Sequence, residues 1–214
     1  PAGVNQNVSG KINGADDFNG TSSTGFQTTY GDAIDPSASS QTFELWLKPD
    51  ISSQKIFLSS GQGTNDRMYI AMDNGEWEIG IQGSAWGAGT TDVTIDEWTH
   101  LTLVMDADTD TATLYVNGVL DHQKSYTSYP FEQDIYLGRH DSGYYFDGMM
   151  DEVRFSDTAR RAEWILASYL TQRYGATDQF IVFGEQELVP EPGALTLLAF
   201  ALLALLAPSH RRPK

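Results

Sequence analysis

The chain has 214 residues, a formal net charge of -16 and no cysteine. That length fits one all-β domain with a normal core. Such acidity sets it against a phosphate backbone, so nucleic acid is excluded as a partner, whereas divalent cations and neutral glycans remain compatible.

The sequence opens at Pro1 without methionine or an apolar leader, and is expected to be a mature form or a fragment whose export signal is missing. Residues 1–13 are polar and aperiodic, a lead-in to the domain. From Gly14 onward short runs alternate apolar and polar between turn signals. Phe43-Glu44-Leu45-Trp46-Leu47 places Phe43, Leu45 and Leu47 on one strand face, with Glu44 and Trp46 on the other. Met68 to Met72 and Trp77 to Ile81 flank Asn74-Gly75, a two-residue hairpin signal. His100 to Met105 and Thr113 to Val116 flank the polar turn Asp106 to Asp110. A second hairpin signal, Asn117-Gly118, precedes Val119-Leu120. Ile135 to Gly138 and Met149 to Phe155 supply later strands. Ala159 to Arg173 instead has apolar residues at Ala162, Ile165, Leu166, Tyr169 and Leu170, which predicts a helix; Ser156, Asp157 and Thr158 offer caps before it and Gly175 ends it. Phe180 to Phe183 returns to strand. Many antiparallel strands and one short helix predict a two-sheet jelly-roll sandwich.

Several pieces together resemble the laminin G-like branch of the concanavalin A-like lectin/glucanase superfamily. They are Thr42 to Lys48, Trp98-Thr99-His100-Leu101, Leu114 to Gly118, Gly148 to Phe155, and Ala159-Arg160 with Trp164-Ile165. The resemblance runs from Gly14 to about Glu187, which defines a domain over 14–187. It implies two curved antiparallel sheets; the superfamily holds lectins, adhesive modules and hydrolases, so function has to be argued from the site.

Hydrolases of this kind carry paired carboxylates on one strand face, as Glu-x-Asp-x-Glu. Here Glu76-Trp77-Glu78-Ile79-Gly80-Ile81 lacks the central Asp and the distal Glu. Its two carboxylates share a face, and a solvated outer face of a hairpin strand explains them. The four histidines form no metal or catalytic grouping, and no nucleophile elbow or phosphate loop occurs. Asp106-Ala107-Asp108-Thr109-Asp110 starts like a calcium loop, but Thr111 and Asn117 stand where that pattern needs Gly and Glu, which leaves an acidic turn. The superfamily resemblance implies a different structural calcium site, built from Asp17, Gly20 and Asp151; the rival reading pairs Asp151 with Arg154 or a capping amide.

Sugar binding favours exposed aromatic faces ringed by polar groups. The candidates are Trp86 in Gly83 to Gly89, Tyr126 and Tyr129 in a polar loop, and His140, Tyr144 and Tyr145. Trp46, Trp98 and Trp164 are expected in the core. A non-catalytic recognition or adhesion module for glycan or exopolysaccharide follows. A hydrolase with a drifted site and a purely structural matrix protein are the alternatives.

The chain closes on VPEPGALTLLAFALLALLAPSHRRPK, residues 189–214. Ala194 to Ala207 carries no charge; at about 1.5 Å per residue it spans roughly 21 Å as a helix, short of a hydrocarbon core near 30 Å. A C-terminal apolar helix is expected there. Pro190-Glu191-Pro192, the apolar block and Arg211-Arg212 in that order resemble the PEP-CTERM sorting signal of Gram-negative bacteria, which sets 188–214 apart as a sorting segment. The resemblance implies export, recognition by a membrane exosortase, and residence at the cell surface or in its matrix.

Overall fold

The computed structural model describes residues 4–21, 25–28, 39–60, 68–81, 87–126, 135–139 and 144–174. All fall in the first of the two units into which the chain divides, Pro1–Phe180 and Ile181–Lys214. The strand expected at Phe180 to Phe183 and the C-terminal apolar helix lie outside the described residues. The strands are β1 (Val4–Ser9), β2 (Gly14–Asn19), β3 (Phe26–Thr28), β4 (Gln41–Pro49), β5 (Lys55–Ser60), β6 (Met68–Asp73), β7 (Glu76–Ile81), β8 (Gly87–Asp92), β9 (Thr99–Asp106), β10 (Thr111–Val116), β11 (Val119–Ser125), β12 (Ile135–Leu137) and β13 (Asp147–Ser156). One helix among the described residues, α1 (Ala162–Tyr174), follows.

These strands form a seven-stranded sheet, β1-β2-β13-β4-β9-β10-β11, and a six-stranded sheet, β3-β12-β5-β6-β7-β8. Their ladders are antiparallel. Alternation decides which face meets the core. Phe43, Leu45 and Leu47 of β4 and Leu101, Leu103 and Met105 of β9 point inward against Phe57, Ile70, Trp77 and Ile79 of the other sheet. Each such side chain contributes about 1.5–3 kcal/mol by leaving water. The hairpins close as the sequence predicts: Asn74 and Gly75 have φ of 51° and 86°, Asn117 and Gly118 of 50° and 78°. Both central residues of a type I′ turn need positive φ, which Asn tolerates and Gly adopts freely.

α1 lies on the outer face of the seven-stranded sheet, where Ile165, Tyr169 and Gln172 are buried. Tyr169 stacks on Trp46 at 5.7 Å between centroids. The Trp46 indole N–H donates to Gln172 Oε1 at 2.6 Å, Gln172 Nε2 donates to Ser168 Oγ at 2.8 Å, and Ser168 Oγ donates to Glu44 Oε1 at 3.0 Å. Trp46 is buried as expected and Trp98 half-buried, but Trp164 is 38% exposed. The helix turns it out of the buried stripe, and Arg160 lies over its ring instead, 4.5 Å from the centroid.

The two long edges of the sandwich differ. On one, Asp121 of β11 clamps β8: its Oδ1 accepts from the Thr90 and Thr91 amides at 3.1 and 2.9 Å, and from both hydroxyls at 3.2 and 2.6 Å. Gly89 makes room, since a Cβ there would sit 1.6 Å from Asp121 Oδ2. The opposite edge, between β2–β13 and β3–β12, is open among the described residues.

Candidate functional site

That open edge holds a cleft of about 490 Å³. Its walls come from both sheets. Phe26 of β3 and Leu137 of β12 face Met150 and Val153 of β13, an apolar floor, with Asp16 of β2 and Gln27 of β3 at the rim. Phe26 is fixed edge-on against Phe18, with ring centroids 5.8 Å apart. Asp16 is partly desolvated, which holds its carboxyl above the usual carboxylate range; a hydrogen bond from Gln6 pulls it down and the charge of Asp151 pushes it up. A few polar groups around an apolar floor of this size suit a small ligand or the end of a polymer. A desolvated carboxylate beside an amide accepts hydrogen bonds from neutral hydroxyls and disfavours anions.

Asp151 also lines the cleft, but its oxygens are engaged. Oδ2 accepts the Ile12 amide at 2.8 Å and Oδ1 the Glu152 amide at 2.7 Å. The capping-amide reading of this residue therefore describes its contacts. Glu152 sits at φ 51° in a bulge between Asp151 and Arg154, and Arg154 pairs with Glu152 rather than with Asp151.

The three residues expected to share a calcium ion do not converge. Gly20 lies against Asp147, where an added Cβ would be 3.1 Å from the Asp147 side chain. Asp17 is opposite Met149. Asp151 is four residues beyond Asp147, roughly 13 Å along an extended strand. Among the described residues no group of three His, Cys, Asp or Glu side chains is placed to hold a metal. Asp17 does contribute to an acidic neighbourhood: burial, then the charges of Asp147, Asp96 and Asp17, raise the Asp50 carboxyl.

The described aromatic candidates do not line the cleft. Tyr126 packs into the main core at 4% exposure, so it offers no stacking face. The polar sequence around it hides that its amide bonds Asp110 O at 2.9 Å, drawing the ring inward. Tyr144 is exposed and Tyr145 half-buried; neither lines the cleft. Trp86, Tyr129 and His140 lie outside the described residues, as do Pro190, Glu191, Pro192, Arg211 and Arg212.

Glu76 and Glu78 share the outer face of the six-stranded sheet, as their spacing predicts. Glu78 is not solvated, however: it is 9% exposed, flanked by Ala71 and Ala88 on the adjoining strands. Burial first, then the charges of Asp73 and Glu76, raise its carboxyl. On the same face Tyr69 lies across Gly80, its ring 1.7 Å from where a Cβ would be, and is only 7% exposed. No broad aromatic platform is open there among the described residues.

Residues 19–166 match the family described as the concanavalin A-like lectin/glucanases superfamily. The chain belongs to that superfamily. No curated protein matches it in sequence. Among solved structures, this superfamily member resembles Domain 4 of AbnA, a GH43 extracellular arabinanase from Geobacillus stearothermophilus, in complex with arabinotriose. The TM-score is 0.58 at 20% identity, over 78% of this chain and 81% of that one. It also resembles the Ruminococcus gnavus IT-sialidase CBM40 bound to α2,3-sialyllactose, with TM-score 0.53, 14% identity, and 61% and 83% of the two chains covered. The binding domain of Paraclostridial Mosquitocidal Protein 1 gives TM-score 0.63 and 16% identity over 79% of this chain, which spans 46% of that one. At these identities the likeness shows the sandwich fold alone. Phe26 and Gln27 escaped the sequence reading because β3 is three residues long, and Leu137 is legible only as part of a strand.

Proposed function

We propose that this domain is a non-catalytic glycan-binding module, and that the cleft at the open edge receives a neutral sugar unit. The observation that carries this reading is the cleft itself: an apolar floor of Phe26, Leu137 and Met150 with the hydrogen-bonding rim of Asp16 and Gln27. A pyranose or furanose has one apolar face and a belt of hydroxyls, which fits a floor and a rim of that kind. Two of the structures that share the fold hold a glycan, arabinotriose in one and α2,3-sialyllactose in the other. Glycan-array binding tests it, with Asp16→Ala as the site variant: retention of a neutral glycan, lost in the variant, supports the reading, and no binding across a broad array removes it.

The carboxylates favour one second reading. Glu78 is buried and raised, as a general acid requires, and Glu76 is two residues away on the same face. A hydrolase would release reducing sugar from a β-glucan and lose that activity in Glu76→Gln and in Glu78→Gln.

The C-terminal segment supports a surface location. Pro190-Glu191-Pro192, the uncharged block and Arg211-Arg212 fit a transient span recognised by an exosortase-type protease. The domain then works outside the cell, at the surface or in the matrix of a Gram-negative bacterium. Intact mass of the protein recovered from its native surface tests this: an end near Glu191 supports processing, and a mass including the basic tip rejects it.

A further inference from the structure

A second groove, of about 450 Å³, runs on the far side of the seven-stranded sheet, between β10–β11 and the segment leading into α1. One side is a row of hydroxyls. Thr111, Thr113 and Tyr115 alternate along β10, so all three share the outer face and span about 13 Å. Gln123 of β11 stands opposite Thr113 and donates to its hydroxyl at 2.9 Å. The other side carries Arg160 and Arg161. This wall is fixed: the Arg160 amide donates to Thr42 Oγ1 at 3.0 Å, and that hydroxyl donates to Thr158 O at 2.7 Å.

Among the described residues neither Arg160 nor Arg161 forms an ion pair, and the charge of Arg160 acts on the buried Glu44 carboxyl. Arg160 lies over Trp164, and its Nε is buried without a hydrogen-bond partner. Among the described residues that line the groove the one carboxylate is Asp106, which already accepts from the Asp108 amide at 3.0 Å. Two guanidinium groups beside a hydroxyl row combine what an acidic sugar needs: a planar fork for a carboxylate and hydrogen bonds for its ring hydroxyls.

We infer that this groove binds a carboxylated polysaccharide, with Arg160 and Arg161 on the uronate carboxylate and Thr111, Thr113, Tyr115 and Gln123 along the chain. The inference shares with the proposed function the premise that the ligand is glycan, but assigns a different surface and the opposite charge preference. Sugar chains that differ in charge then meet the domain at separate places.

Affinity electrophoresis of the whole chain against polygalacturonate, dextran and dextran sulfate tests it. Polygalacturonate should retard the protein at least tenfold more strongly than dextran, and Arg160→Gln/Arg161→Gln should abolish the difference. Arg161 is exposed, so Arg161→Gln alone serves as a variant that leaves the wall intact and should weaken retardation severalfold. Asp16→Asn should leave it unchanged. Equal retardation by dextran, dextran sulfate matching polygalacturonate, or no effect of the double variant overturns the assignment. If Asp16→Asn abolishes polygalacturonate binding, the ligand sits in the edge cleft and this groove is refuted while glycan recognition stands. If no glycan is retained at all, both fall.

Discussion

Asp151 of β13 accepts the backbone amide of Ile12, 139 positions earlier in the chain, at 2.8 Å. The bond ties the turn between β1 and β2 to the middle of the seven-stranded sheet, and Gly10 leaves room, since a Cβ there would sit 2.7 Å from the same oxygen. A charge-assisted bond of this kind contributes about 1.5–3 kcal/mol. Asp151→Ala is therefore expected to lower the unfolding free energy by about 2–4 kcal/mol once the Glu152 amide is also left unpaired. Urea denaturation with and without chelator checks this: the loss should be the same in both, because the bonds lost are those from the Ile12 and Glu152 amides.

His100 sits under α1 between Trp46 and Tyr169, at 5.0 and 5.9 Å between ring centroids. Its Nε2 is 3.6 Å from Glu44 Oε1 and neither ring nitrogen has a hydrogen-bond partner. Burial first, then the charge of Arg154, lowers its pKa from 6.5 to about 4. The unfolded chain thus binds more protons between those values. The neutral imidazole's contribution, about 3 kcal/mol by linkage, is fully present above pH 6.5 and lost as pH falls toward 4. Glu44 acts oppositely: burial raises its carboxyl, so its contribution declines as pH rises above its ordinary value. Thermal unfolding from pH 7 to pH 4 should show a decline in Tm that His100→Leu largely removes.

Gln172 joins the indole of Trp46 to Ser168 and through it to Glu44. Gln172→Ala leaves a buried indole N–H without a partner, at a cost of about 1–3 kcal/mol. The helix should loosen locally before the sandwich unfolds. Hydrogen exchange of the α1 amides should accelerate while β4 and β9 stay protected, and equal acceleration throughout would reject the latch role.

At the closed edge, Gly89→Ala is expected to destabilise by about 2–4 kcal/mol. The new methyl would displace Asp121 and with it the bonds to Thr90 and Thr91. Gly75→Ala makes the contrast, since nothing lies within 4 Å of its Cβ position and only the φ of 86° opposes it, for about 1 kcal/mol.

Much of the fold is legible in short-range pattern. The alternation in Phe43 to Leu47 names the inward face of β4, and Asn-Gly at 74–75 and 117–118 marks two hairpins because the dipeptide meets a backbone requirement. Features resting on long-range pairing are not legible. β13 lies between β2 and β4, so the cleft joins residues from Asp16 to Val153 that no local window relates. The same pairing separates Gly20 from Asp151. Trp164 precedes Ile165 by one residue, about 100° around a helix, enough to turn an expected core ring to the surface. Glu78 looks solvated by alternation alone, yet its flanking alanines and the neighbouring Tyr69 leave it little water.

The central claim is that a neutral sugar sits in the open-edge cleft. Amide chemical-shift mapping of the whole chain, titrated with a neutral glycan retained on an array, tests it most directly. Shifts concentrated at Gly14, Ala15, Asp16, Gln27, Leu137 and Met150, and lost in Asp16→Ala, are the predicted result. Shifts centred instead on Tyr69, Glu78 and Gly80, or none at saturating sugar, would contradict it.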